Sequence, residues 1–192
     1  MQIDVAKYGP AFAPVLEPDR LMPLGPGEPN TSKRAALEAL KLDDAFAHTT
    51  IEATAYAEAC IAGAWLMHNY LDESHRISQG VENPTGSFWH AIMHRREPDY
   101  SNARYWFAKV GDHPVYPQIA AAAAELAETS PAKAGRQLAQ TDRWAPDAFV
   151  AYVADVEAGK LTTADVDLAH QIQHREWWLL FDFSYKRATG QQ

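Results

Sequence analysis

The sequence predicts an all-α protein. Two observations carry that expectation: the glycines, prolines and capping residues that interrupt the chain are spaced at helix lengths, and no run alternates apolar and polar residues with turn signals at its ends. Taken in order, the elements form an irregular bundle of about six to eight helices behind a Pro-rich N-terminal arm. Residues 1–30 hold Pro10, Pro14, Pro18, Pro23, Pro26 and Pro29, and each fixes φ and lacks an amide proton, so this stretch is an extended arm. Leu16, Leu21, Met22 and Leu24 between them imply that the arm packs along the rest of the chain. Residues 31–192 read as a single helical domain.

Thr31 or Ser32 caps a first helix running towards Phe46. A long Ala-rich helix is expected from about Thr50 to Gln79, followed by a loop over Gly80–Gly86 that contains Asn83-Pro84. Thr85 or Ser87 then opens a short helix that Pro98 ends near Arg96. Asp99 or Ser101 caps the next one, which Gly111 stops. Further helices run from about Pro117 to Glu128, from Ala132 to Ala139, and from Pro146 to Gly159. The last spans Thr162 to Thr189, with Thr162 and Asp165 in capping-box spacing and Gly190 as the stop. Trp177, Trp178, Leu179, Leu180, Phe181, Phe183 and Tyr185 point all round that helix, so it is either central to the fold or the face of a homodimer.

Composition excludes several function classes. With 47 % hydrophobic residues, six of them Trp, the chain is not intrinsically disordered. A net charge of −8 argues against nucleic acid as a partner, since phosphate binding needs clustered Lys and Arg. No apolar run reaches the ~18 residues of a membrane span, so a membrane is not an expected partner. No basic-then-apolar leader is visible, and the expectation is a cytoplasmic protein. The single cysteine, Cys60, lies in an apolar stretch and reads as a small buried hydrophobe.

The residues that can carry chemistry sit on two neighbouring predicted helices. His68, Asp72, His75 and Gln79 share one helical face, and so do Ser87, His90, His94 and Glu97. If these faces meet across the short loop, His75 opposes His90, Asp72 opposes His94 and His68 opposes Glu97. A divalent transition metal needs three or four nitrogen or oxygen ligands converging on one point, and imidazole with carboxylate suits Zn, Fe, Mn or Ni. His75, His90 and His94 are the ligand candidates, with Asp72, Glu73 and Glu97 as a fourth ligand or as groups that orient the imidazoles. Such a centre with an open position would support hydrolysis. The alternative is a polar network between helices that needs no metal.

The charge run Arg95, Arg96, Glu97, Asp99, followed by Asn102, is a candidate site for a small anionic ligand, with an arginine as a two-pronged clamp; inter-helix ion pairing is the alternative. His170 and His174 make a second pair at i, i+4, and Glu176 falls in an apolar stripe, where it needs a buried partner. The second functional reading is a non-catalytic helical interaction or oligomerisation protein.

The segment from His75 to Pro114 resembles a signature of an uncharacterised bacterial protein family. The resembling residues are Trp89-His90, His94-Arg95-Arg96-Glu97, Asp99, Ser101-Asn102 and Tyr105-Trp106, together with Glu176-Trp177 and Leu179-Leu180-Phe181-Asp182. No activity is known for that family. The resemblance implies that His75, His90, His94 and the Arg-Arg-Glu run form the site, and it implies no reaction.

Overall fold

A computed structural model describes residues 3–140 and 143–191. Among them are ten α-helices and no strand, in the order α1 (Arg34–Glu38), α2 (Leu42–Ala45), α3 (Thr54–Met67), α4 (Leu71–Ser78), α5 (Pro84–Arg96), α6 (Tyr100–Val110), α7 (Tyr116–Thr129), α8 (Lys133–Ala139), α9 (Pro146–Glu157) and α10 (Thr163–Thr189). The all-α expectation holds. The helices outnumber the expected six to eight because two of the predicted ones are interrupted. Residues 31–46 form a 3₁₀ turn, Thr31–Lys33, and two short helices, and the long helix breaks between α3 and α4.

That second break has a specific cause. Asn69 takes the left-handed conformation at φ 64°, which a helix cannot propagate. Its side chain is then held from both sides: Asn69 Oδ1 accepts from Arg96 at 2.6 Å, and Asn69 Nδ2 donates to the carbonyl of Glu28 at 2.7 Å. Arg96 also donates to the carbonyl of Leu66 at 2.6 Å, in the last turn of α3, which accepts from the Asn69 amide as well.

Several ends follow the capping signals. Thr162 and Asp165 make the reciprocal capping box of α10, Gly190 closes it at φ 70°, and Asp99 accepts from the Asn102 amide at the start of α6. Asn83-Pro84, expected inside a loop, instead begins α5. Asn83 accepts from the Gly86 amide and Pro84 fills the first turn, where a missing N–H costs nothing.

Helix α10 packs against α3, α7, α8 and α9, and α5 against α3, α4 and α6. Trp89 of α5 meets Trp177 of α10 edge to face at 5.5 Å, beside Gly63 of α3, where a β-carbon would stand 2.8 Å from the Trp89 ring. The Trp177 indole donates to the Gly63 carbonyl at 3.2 Å. Trp177, Trp178, Phe181 and Tyr185 are buried within their own chain, so α10 is the central helix of the fold.

The arm is part of the core. Phe12, Val15, Leu16, Met22 and Leu24 are buried, and Tyr8 donates to Asp182 of α10 at 2.9 Å. Gln173 donates to the carbonyls of Met22 and Pro23, and Arg96 to those of Gly25 and Pro26. Cys60 is buried with its thiol pKa pushed well up by burial, as expected of a packing residue. Among the described residues no helix is long and apolar enough to cross a membrane.

Glu176 finds the buried partner that its place in an apolar stripe requires. It accepts two hydrogen bonds from Arg95, and both side chains are 0 % exposed. Removing one member of such a pair strands a charge in the interior. Glu176→Gln is expected to cost about 3–5 kcal/mol, read from urea unfolding. A second prediction concerns acid. His113 is buried, and burial pushes its pKa down to about 4. The folded state therefore binds this proton less readily than the unfolded chain, whose histidine titrates near ~6.5. The stability it contributes is intact above about pH 7, falls as the pH drops through 6.5, and levels off below about 4, a loss of roughly 3 kcal/mol. His113→Gln is expected to flatten that much of the acid dependence in unfolding measured at pH 7 and pH 4.

Candidate metal centre

Helix α4 delivers His75, and α5 delivers His90 and His94 one turn apart. One nitrogen from each of the three rings falls within 4.8 Å of the others. His90 and His94 approach through their Nε2 atoms at 3.0 Å. The His75 ring leans over both, with its centroid 4.6 Å from His90 and 5.4 Å from His94. Two nitrogens bound to one zinc at ~2.0–2.1 Å in tetrahedral geometry lie about 3.3 Å apart, so the α5 pair is already near ligand spacing.

The opposite faces of the α5 rings are held. His94 Nδ1 lies 3.0 Å from Glu97, and His90 Nδ1 lies 3.1 Å from the Ser78 hydroxyl. An acceptor on Nδ1 directs the lone pair to Nε2, which is how metal-binding imidazoles are oriented. The Glu97 carboxylate can only accept, so His94 carries its proton on Nδ1 and turns a bare Nε2 inward. Ser78 has one proton and two acceptors within reach, His90 Nδ1 and the carbonyl of His75 at 3.3 Å. Donated to His90, it leaves the His90 Nε2–H to bond His94, and the network closes without a cation. Donated to the carbonyl, it leaves His90 Nδ1–H bonded to Ser78, and two lone pairs converge on one point. The two arrangements differ by a tautomer of His90 and by no net proton.

Charge does not fill this point under ordinary conditions. His90 is pushed down to about 3, chiefly by burial and then by His94, His75 and Lys109. His94 is also lowered, by burial, with Glu97 acting in the opposite direction. Both are therefore neutral near pH 7, the form that binds metal. The Trp106 ring covers His90 at 4.1 Å, and Lys109 lies 4.3 Å over Trp106. His75 is half-buried and forms the accessible side of the cluster.

Of the three expected levels between the helices, only His75 with His90 is realised. His68 caps the end of α3, buried against the Val15 carbonyl at 2.6 Å and Asn30 at 3.2 Å, because the helix breaks there. Asp72 and Glu73 lie outside the histidine cluster: Asp72 is exposed, and Glu73 pairs with Arg34 at 2.7 Å. Glu73, two positions before His75, projects around the other side of α4, whereas Asp72, three before, shares the His75 side but stands a turn earlier, exposed at the start of the helix.

The expected anion site is likewise dispersed. Arg95 and Arg96 are fully buried and bonded to Glu176, Gln173, Asn69 and backbone carbonyls, so neither offers a fork to a ligand. Asp99 and Asn102 bond each other at 2.8 Å in the α6 cap. Only Glu97 of that run serves the histidines. His170 and His174 reach backbone carbonyls, of Val166 and Pro18 respectively, and form no cluster among the described residues. Ser78 and Trp106 join the histidine site although sequence reasoning does not place them there; the i, i+3 step from His75 is the available signal for Ser78.

Comparison of the chain with protein-family models, with curated proteins and with solved structures finds no match. The site is therefore read from its own chemistry.

One ring stands apart from the network. Among the described residues none makes a hydrogen bond to the His75 ring, whereas His90 and His94 are each bonded on both nitrogens. In chelator-treated protein, His75→Ala is expected to cost less than about 1 kcal/mol, while His90→Ala, which cuts into a buried network, costs about 2–4 kcal/mol by urea unfolding. Equal losses would make His75 as structural as His90.

Proposed function

We propose that the chain binds one divalent transition metal on His75, His90 and His94, with an open coordination position on the His75 side. The observation that supports this most is the third ring. A structural network is complete with Ser78, His90, His94 and Glu97, and it gives no reason for a half-exposed imidazole to turn a nitrogen to within 4.8 Å of the other two. Three imidazole ligands favour Zn among the expected metals, since Mn prefers carboxylate and water oxygens. Three protein ligands with one vacancy is the pattern of catalytic rather than structural zinc.

Neutral ligands leave the full double charge on the cation, and Lys109 adds to the positive field felt at His90. The small anionic ligand suggested by the sequence therefore belongs at this centre, not on Arg95 and Arg96. When bound, the metal supplies Lewis-acid activation of water, which makes hydrolysis the reaction class that fits. The chain's own contributions are the fixed Nδ1 partners Ser78 and Glu97, the neutral state of the rings and the Trp106 wall.

Protein made without a histidine tag and analysed for bound elements is expected to hold about one metal per chain. His75→Ala and His94→Ala should each lower zinc affinity at least 100-fold, and Glu97→Gln about 10–100-fold. Substoichiometric metal, indifferent to all three changes, would reduce the cluster to packing.

A further inference from the structure

Two hollows of about 550 and 680 Å³ adjoin at the junction of α6, α7 and the entry to α9, sharing Asp112, Tyr116, Arg143 and Trp144 as lining. Neither is lined by a histidine of the metal cluster, so a site here stands independently of the metal. Tyr116 is 5 % exposed and Trp144 4 %, yet among the described residues the buried Tyr116 hydroxyl and Trp144 indole N–H have no hydrogen-bond partner. Buried polar groups are almost always satisfied, and an orphaned donor is costly. Both donors belong to rings that line the hollows; each polar atom is itself closed to water, so an acceptor reaches it when the ring shifts.

We propose that these hollows bind a small, planar, uncharged molecule carrying a carbonyl oxygen, which accepts hydrogen bonds from Tyr116 and Trp144. Both groups are donors here. An indole N–H can only donate, and burial, with Glu176, Asp147 and Asp112 adding to it, raises the Tyr116 pKa so that the phenol keeps its proton. Those three carboxylates make the surroundings of Tyr116 unwelcoming to an anion. The Arg143 at the rim is already ion-paired with Asp112. Pro114, Pro117, Pro146 and the Phe107 ring complete rigid apolar walls suited to a flat body. Trp144 precedes α9 in a non-helical connection, so its ring can adjust to an incoming oxygen without breaking helix hydrogen bonds.

The test uses the full chain with ¹⁵N-labelled indoles, with the Trp144 signal assigned by its loss in Trp144→Phe. Benzamide is expected to move the Trp144 N–H resonance saturably. Tyr116→Phe, which keeps the ring and removes only an unpaired hydroxyl, should retain or raise the melting temperature while weakening benzamide about 5–10-fold. Toluene, of similar shape without an acceptor, and benzoate, which brings a charge, should both bind more weakly than benzamide. A Trp144 resonance unmoved by benzamide up to roughly 10 mM, beyond the range of fragment binding, overturns the proposal. So does toluene binding as well as benzamide, or Tyr116→Phe leaving benzamide affinity unchanged, because the hollow would then be merely apolar.

Discussion

The structure depends on two guanidinium groups buried side by side at the end of α5. Arg95 turns towards α10 and meets Glu176 and Gln173, with its charge 4.6 Å over the Phe149 ring of α9. Arg96 turns the other way, to the end of α3, the Asn69 break and the carbonyls of Gly25 and Pro26 in the arm. A buried charge is tolerated only when its donors are met by well-placed acceptors. Among the described residues, Arg96 has no carboxylate within its hydrogen-bond set. It relies on oxygen dipoles, and burial pushes its pKa down to about 9. Three separate parts of the chain are thus obliged to place oxygens around one residue.

That obligation sets the geometry of the histidine cluster. Once Arg96 fixes the end of α3 and Asn69 turns the chain, α4 starts in a new direction and brings His75 to α5. His94 immediately precedes the arginine pair, and His90 lies one turn earlier, so both sit on the best-anchored part of the fold. A ligand set held on helices whose own positions are over-determined needs little reorganisation to accept a metal. The same rigidity explains how three imidazoles can stay close together, with His90 and His94 neutral and enclosed.

The hollow at Tyr116 and Trp144 differs in kind. It lies where a non-helical connection meets two helix ends, and its donors go unsatisfied because no described element is positioned to accept from them. In the arginine node every guanidinium nitrogen but Arg95 Nε meets an acceptor; at this hollow neither donor does. That contrast separates a fold-holding network from a place where a guest has something to gain.

Much of the fold was legible in the sequence because its signals act over short range. The Thr162–Asp165 box, the Asp99 cap and Gly190 as a stop satisfy backbone groups within a few residues, and Pro146 at a first turn removes an N–H that would be unpaired, so composition and spacing suffice to place them. The i, i+4 step likewise put His90 and His94 on one face. The sequence could not show that His68 leaves the cluster, that Asp72 and Glu73 face elsewhere, or that both arginines are consumed inside. Those outcomes depend on partners far along the chain: Leu66 and Asn69 stand 30 and 27 residues from Arg96, and Glu176 stands 81 from Arg95. Local signals determined where several helices begin and end. Only burial, which forces each enclosed charge to find an acceptor wherever the packed chain offers one, decided which polar residues hold the structure and which three imidazoles are left to meet.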